Sequence, residues 1–216
     1  MTNLLTDGLP VRVTVHGQEY GIDPDFRLMV RLQLLLTEDD GSEEERGDKL
    51  LGLLWELLPE WEEMLMAYNP DEIFRAVLGF YSGEPDGCGQ SRTAEDEEED
   101  GEEENERVYS FLHDSAAIYA AFMQAYHIDL TKARLHWYQF RALLRGLPED
   151  CLFSRMLLYR ATDLADVPEH RREHYRRMKR RYALPLPKSE QDKNDAVAAA
   201  LMNGGDLGAL RLENSE

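Results

Sequence analysis

An acidic run near the middle of the chain constrains the fold more than any other feature. Residues 95–106 read EDEEEDGEEENE, with ten acids and no base. Residues 84–107 as a whole carry too little apolar surface to offset the entropy of ordering a chain, so we expect a disordered acidic linker there. The linker divides the chain into an N-terminal block, 1–83, and a C-terminal block, 108–187, with a flexible tail at 188–216.

Each block is close to the size at which an independent hydrophobic core becomes marginal. We therefore favour one domain in which both helical blocks share a core and the acidic segment loops out. Two separate domains are the alternative. The chain has 216 residues and is 43% hydrophobic, which is enough for a core of either kind.

The composition argues against several functional classes. A net charge of -19 argues against general nucleic-acid binding. Cys88 and Cys151 lie far apart and outside any metal or redox motif, so we expect two reduced thiols in a cytosol. The sequence shows no charged-then-apolar leader and no apolar run long enough to cross a bilayer, which predicts a soluble cytoplasmic protein without membrane contact.

The N-terminal block begins with a hairpin pattern. Apolar residues at every second position of 11–15 predict a strand with one buried face, and Gly17 permits a tight turn into a returning strand. Asp23 is expected to cap the first helix, with Pro24 in its first turn.

Capping sequences and apolar spacing predict helices through most of the remaining chain. SEEE at 42–45 and NPDE at 69–72 are each typical of a helix start. In the C-terminal block we expect a helix from about residue 131 to 145, ended by Gly146 in the left-handed conformation. Another helix is expected to start at Pro168. The predicted fold class is mainly α, with a small N-terminal β-hairpin and a disordered acidic loop.

The groups that suggest chemistry have simpler explanations. His170 and His174 have the i, i+4 spacing that can hold zinc, but arginines surround them and no third ligand is evident. His113-Asp114 and His136 suggest acid-base work, yet Asp114 as a helix cap and His136 as a partly buried helix residue explain them equally well. No phosphate-binding loop, nucleophile elbow or paired cysteine motif is present, so we predict no enzyme activity, no cofactor and no metal.

The strongest electrostatic feature is an arginine-rich helix at 171–181. Three of its residues, at i, i+3 and i+7, are expected to face the core: Tyr175, Met178 and Tyr182. The arginines then form a solvated or partner-facing surface that includes Arg172, Arg176 and Arg180. Two alternatives are that the acidic segment folds back onto this face, or that the face binds nucleic acid, which the net charge opposes.

Another candidate surface lies on the helix that begins the C-terminal block. Ile118, Phe122 and Ala125 form one of two apolar stripes on this helix. Two stripes imply two neighbours, within the core or across an interface. The hypothetical partner-binding face consists of the second stripe, Tyr119, Met123 and Tyr126, together with Trp137 in the next helix. The alternative is that these residues belong to the core.

Two groups of residues together resemble a family signature. The first runs from Leu9-Pro10 to the sequence GIDPDFR at 21–27. The second contains Ile128-Asp129-Leu130, Leu135-His136-Trp137, Phe140, Leu143 and the sequence GLPE at 146–149. On these residues the chain resembles the bacteriophage "gene product fifteen" family of long-tailed phages and prophages of Gram-positive bacteria. The resemblance covers most of 9–83 and 108–184, and Arg160 with Asp163, expected to pair across a helix end, also fits it.

The resemblance implies a function that the residues alone do not indicate. Members are usually encoded between the major tail protein and the tape-measure protein, where tail-assembly chaperones are found. It therefore implies a chaperone in the host cytoplasm that binds the tape-measure protein and helps recruit tail-tube subunits, with self-association also considered. The alternatives are a structural component of the tail and a regulatory or nucleic-acid-binding phage protein that uses the arginine-rich helix.

Overall fold

The computed structural model describes residues 5–6, 8–37, 41–83 and 108–185. The chain divides into a compact unit, Met1–Tyr182, and a second unit, Ala183–Glu216, of which only 183–185 are described. The predicted acidic linker, Cys88 and the predicted tail lie outside the described residues. Within the described ranges there are eight helices and one two-stranded antiparallel sheet, which confirms the predicted fold class.

The predicted hairpin is present. Strands β1 (Arg12–Val15) and β2 (Gln18–Gly21) pair antiparallel across a turn at His16 and Gly17. Both turn residues have positive φ, 48° and 84°, and a two-residue turn of this kind matches the twist of its strands. The buried face consists of Val13, Val15 and Tyr20. Val11, which the alternation also places on that face, precedes β1 and is exposed.

Helices form most of the rest of the described chain. The N-terminal block contains α1 (Phe26–Thr37), α2 (Glu43–Leu57), α3 (Trp61–Ala67) and α4 (Pro70–Ser82). The C-terminal block contains α5 (Ser115–Tyr126), α6 (Trp137–Arg145), α7 (Leu152–Ala161) and α8 (Glu169–Tyr182). Both predicted capping boxes are confirmed, Ser42 with Glu45 before α2 and Asn69 with Glu72 before α4.

The start of α1 differs from the prediction. The Asp25 carboxylate, and not that of Asp23, accepts the hydrogen bond of the Arg27 amide at 2.9 Å. Asp23 instead accepts from the Asp25 amide at 2.9 Å, two residues earlier. The cap prediction for Asp23 was wrong because the carbonyl oxygen of Pro24 is bonded to a distant segment, at Trp137, so the helix begins only after it.

The predicted helix at 131–145 begins six residues late, at Trp137. Asp129 accepts hydrogen bonds from the Thr131 amide and hydroxyl at 3.0 and 2.6 Å. An aspartate that bonds the backbone two residues ahead favours a turn over a helix. The helix start therefore shifts to His136, whose ring caps α6.

The prediction for Gly146 was also wrong. Its φ is -84°, outside the left-handed region. The left-handed residue of this block is His127, with φ 56° at the end of α5. A Cβ at position 146 would lie 3.2 Å from the Tyr126 hydroxyl, so the glycine here allows a close approach and not a special backbone conformation.

Aromatic rings from both blocks meet in the core. The rings of Phe26 in α1 and Phe140 in α6 are stacked with centroids 4.6 Å apart, and Phe122 of α5 stacks on Phe140 at 5.3 Å. Buried side chains of both blocks form one continuous cluster. Burial of this kind is the main favourable term in folding.

Helix α8 lies outside this core. It packs on α7, with Tyr159 stacked on Tyr182 and edge-on to Tyr175. Tyr175, Met178 and Tyr182 are only half-buried, and α8 contains no buried residue. The prediction that these three residues face the core was therefore wrong, because they face only one neighbouring helix. Among the described helices, none is long and apolar enough to cross a membrane.

Candidate functional site

The two signature segments of the sequence meet in space. A short antiparallel bridge joins Asp25 to His136. Beside it, the Trp137 amide donates to the carbonyl oxygen of Pro24 at 2.7 Å, and a second backbone bond closes the other side at 3.1 Å. The junction brings the start of α1 against the start of α6, so the signature specifies where the two blocks join.

Arg27 strengthens the same junction. Its guanidinium donates to the Asp25 carboxylate at 3.1 and 3.2 Å. It also donates to the carbonyl oxygens of Leu130 and Ala133 at 2.7 and 2.8 Å. Charge-assisted bonds of a planar guanidinium fix geometry as well as adding energy, so Arg27 fixes the irregular segment before α6 onto α1.

His136 is the centre of the junction. Its Nδ1 accepts from the Tyr138 amide at 3.1 Å, which leaves the proton on Nε2 to donate to the carbonyl oxygen of Pro10 at 2.7 Å. Burial lowers the pKa of this imidazole and favours the neutral form. Both ring nitrogens are bonded to backbone atoms, so His136 caps α6 and links it to the backbone at Pro10.

Arg160 pairs with a partner that the sequence did not indicate. It forms a bidentate ion pair with Asp114, at 2.6 and 2.8 Å, and the two residues are 8% and 2% exposed. It also donates to the carbonyl oxygens of Val108, at 3.0 Å, and Tyr182. The predicted pair with Asp163 was wrong, since that carboxylate accepts a local backbone bond. Asp114 stands at the cap position of α5, but its side chain forms no cap bond.

Two arginines lie on the inward faces of their helices, a placement that the sequence predictions did not include. Arg160 follows the buried Phe153 by seven residues, and the half-buried Arg141 follows the buried Trp137 by four. Those spacings place each arginine on the inward face of its helix. In a sequence, an arginine at the helical spacing of an apolar stripe therefore indicates a buried ion pair or a charged cleft.

The structure separates the four apolar residues of the hypothetical binding face. Tyr119 and Met123, one turn apart on α5, are 37% and 39% exposed. Tyr126 is half-buried and Trp137 is only 2% exposed. Each of these two donates to a backbone carbonyl oxygen at 2.9 Å. An exposed surface at this place therefore consists of Tyr119 and Met123, which we call the α5 face.

The three arginines named for α8 are exposed but not equivalent. Arg172 donates to the carbonyl oxygens of Val167 and Ala165 at 2.8 and 3.3 Å, so it holds the turn before the helix. Arg176 and Arg180 are exposed. Across the described ranges, no cluster of three or more His, Cys, Asp or Glu could hold a metal ion.

Comparison with known protein families supports the resemblance. A family model matches residues 5–184, most of the chain, and places it among bacteriophage proteins. That model is described as Bacteriophage Gp15 protein, and the chain belongs to this family. Comparisons with curated proteins and with solved structures gave no match.

Proposed function

We propose that this protein is a tail-assembly chaperone, which binds the tape-measure protein and helps recruit tail-tube subunits. The observation that carries the proposal is membership of the Bacteriophage Gp15 family over residues 5–184, together with the gene position that the resemblance implies. The proposed action is binding and release in the host cytoplasm, with no catalytic step, cofactor or metal.

The α5 face supports this proposal physically. A tape-measure protein is long, helical and apolar until the tail tube encloses it, so its exposed stripes favour aggregation. Tyr119 and Met123 are spaced i, i+4, which suits packing against an apolar helix. Methionine adapts to partners of varied shape, which suits a chaperone whose partner has a loose sequence requirement. The net charge of -19 favours solubility of the complex.

Co-expression tests the proposal directly. The tape-measure protein of the same genome is produced with and without this chain, and its soluble fraction and co-purification are measured. We expect it to become soluble and to elute with the chain. A tape-measure protein that stays insoluble and unbound contradicts the proposal. Mass spectrometry of purified virions separates a chaperone, which is absent from them, from a structural component of the tail.

A pair of methionine variants tests the α5 face. Met123→Ala should reduce the tape-measure protein recovered with the chain several-fold and leave the melting temperature unchanged. Met66→Ala is the matched control, because Met66 is 90% exposed on a different helix, α3. An equal loss of binding in both variants, or a lowered melting temperature for Met123→Ala alone, would argue against this face.

Nucleic-acid binding through α8 is a second candidate. The helix contains seven basic and two acidic residues and buries none of them. A shift of DNA or RNA that weakens steeply with salt, and that Arg176→Glu with Arg180→Glu removes, would favour it. The net charge of the chain, -19, favours the chaperone instead, and we expect no shift even at low salt.

A further inference from the structure

A cleft separate from the α5 face opens between the two blocks. Its volume is about 440 Å³, and α4, α6, α7 and the segment before α5 contribute to its wall. Aromatic rings line one part, including Tyr81, Trp137 and Phe153. Arg141 and Arg145 line another part, and no acidic residue is among the described residues of the wall. The volume lies within the range of sites that hold a small organic ligand.

Arg141 is the most constrained charge in this cleft. It is half-buried, and its guanidinium donates to the carbonyl oxygen of Tyr81 at 3.0 Å. The guanidinium lies 5.6 Å from the centroid of the Trp137 ring. Within the described ranges, no carboxylate forms an ion pair with it. A guanidinium has five N–H donors, so most of its donors remain for a ligand or for water.

The electrostatics of the cleft favour an anion. Burial is the main cause that lowers the pKa of Arg141, and the like charge of Arg145 is the second. Both destabilise its cationic form. A partly desolvated charge gains most from an opposite charge at hydrogen-bond distance. The cleft therefore offers a cationic site on a chain whose net charge is -19.

We propose that this cleft binds a carboxylate-bearing side chain of a partner polypeptide, with an apolar neighbour of that side chain against the aromatic wall. A planar carboxylate matches the fork of the Arg141 guanidinium, and Arg145 adds a second donor at the more exposed edge. The rings of Trp137 and Phe153 supply the apolar contact. The inference concerns a different surface from the α5 face and stands without the chaperone proposal.

A matched pair of small probes tests the charge requirement. The full chain is titrated with 2-naphthoate, an aromatic carboxylate, and with the neutral 2-naphthamide, by calorimetry or NMR. A hydrogen bond to a charged group is stronger than one to a neutral group, so the carboxylate should bind about tenfold more tightly or better than the amide. Equal binding of the two probes, or no binding of either, would overturn the proposal.

Arginine variants locate the site. Arg145→Gln should weaken naphthoate binding about threefold or more, and Arg141→Gln more strongly. Arg155→Gln is the control, since Arg155 is exposed on α7 and does not line the cleft. Arg145 is at the exposed edge, so its variant should keep the fold, as the melting temperature will show. The same affinity in the Arg145 and Arg155 variants would place the probe elsewhere and refute the assignment.

A final arm identifies the source of the carboxylate. The acids of residues 95–106 are replaced by their amides, which leaves the rest of the chain unchanged. Naphthoate affinity that stays the same supports a partner polypeptide as the occupant. In enough salt to screen long-range repulsion, affinity that rises would mean that the chain's own acids compete for the cleft, which would contradict a partner as the source.

Discussion

Arg160 and Asp114 show how burial changes the role of a charged residue. In the sequence each has a nearby local explanation, a pair with Asp163 and a helix cap. In the fold they join α7 to the start of α5 as a bidentate pair, 46 positions apart. Once buried, each charge depends on the other, because both side chains are almost fully removed from solvent and, among the described residues, neither forms another ion pair.

Loss of one partner of this pair should be costly. Arg160→Met leaves the Asp114 carboxylate buried without its counter-ion, and breaking such a pair costs about 3–5 kcal/mol of unfolding free energy. Denaturant titration measures the loss. Arg155→Met, an exposed arginine on the same helix, should change stability by less than about 0.5 kcal/mol. Similar losses in the two variants would contradict a buried, energetically important pair.

His136 should make stability depend on pH. Burial lowers its folded pKa below the unfolded value of about 6.5. As pH falls, the unfolded chain therefore takes up the proton first, so the contribution is complete above about pH 6.5 and is lost through the folded pKa. Protonation of Nδ1 also ends the bond from the Tyr138 amide.

The pH effect is measured by comparison with His136→Asn, because asparagine does not titrate and still caps a helix. The unfolding free energies of both proteins are determined at about pH 7.5 and about pH 5.5, on either side of the unfolded pKa. The wild-type chain should lose more stability than the variant over this interval. A difference between the two proteins that does not change with pH would refute the role of His136.

At the scale of elements, helix starts fall into two kinds. Those of α2 and α4 depend on capping boxes within four residues, and the structure confirms both. Those of α1 and α6 depend on a distant segment as well, since the bridge between Asp25 and His136 fixes both starts, and α6 adds a local capping box of His136 with Gln139. When the backbone just before a helix is bonded to another segment, the helix begins only after the last of these long-range bonds.

Helix α8 should open before the rest of the folded unit. It contains no buried residue and packs on α7 alone among its major contacts, and local stability follows buried contact. Hydrogen exchange followed by mass spectrometry should show its amides exchanging about tenfold faster or more than those of α6, whose Trp137 and Phe140 are buried. Equal protection of α8 and α6 would contradict this order.

At the scale of the whole molecule, the aromatic contacts between the blocks predict cooperative unfolding. Phe140 touches Phe26 across the block boundary and Phe122 within its own block. Phe140→Ala should cost about 3–5 kcal/mol, and circular dichroism and tryptophan fluorescence should still report a single transition. Leu158→Ala, at an exposed position of α7, should cost far less. Two separate transitions would favour two domains over a shared core.

The fold class could be predicted from the sequence, and part of the candidate site could not. Alternating valines and Gly17 predicted the hairpin, and apolar spacing predicted the helices. The exposure of Met123 and the burial of Trp137 could not be read from their similar apolar spacing, because each depends on which neighbour covers that face. The cleft around Arg141 depends in the same way on rings contributed by distant elements.

The sequence by itself determined the features that act over a few positions: the hairpin turn and the two capping boxes. The sequence also contains enough signature residues to indicate the family. The tertiary structure alone decided that Arg160 binds Asp114, that residues 24–26 pair with 135–137, and that Arg141 faces a cleft. The physical reason is that these roles arise from burial and from partners distant in the chain, whereas caps and turns satisfy their hydrogen bonds locally.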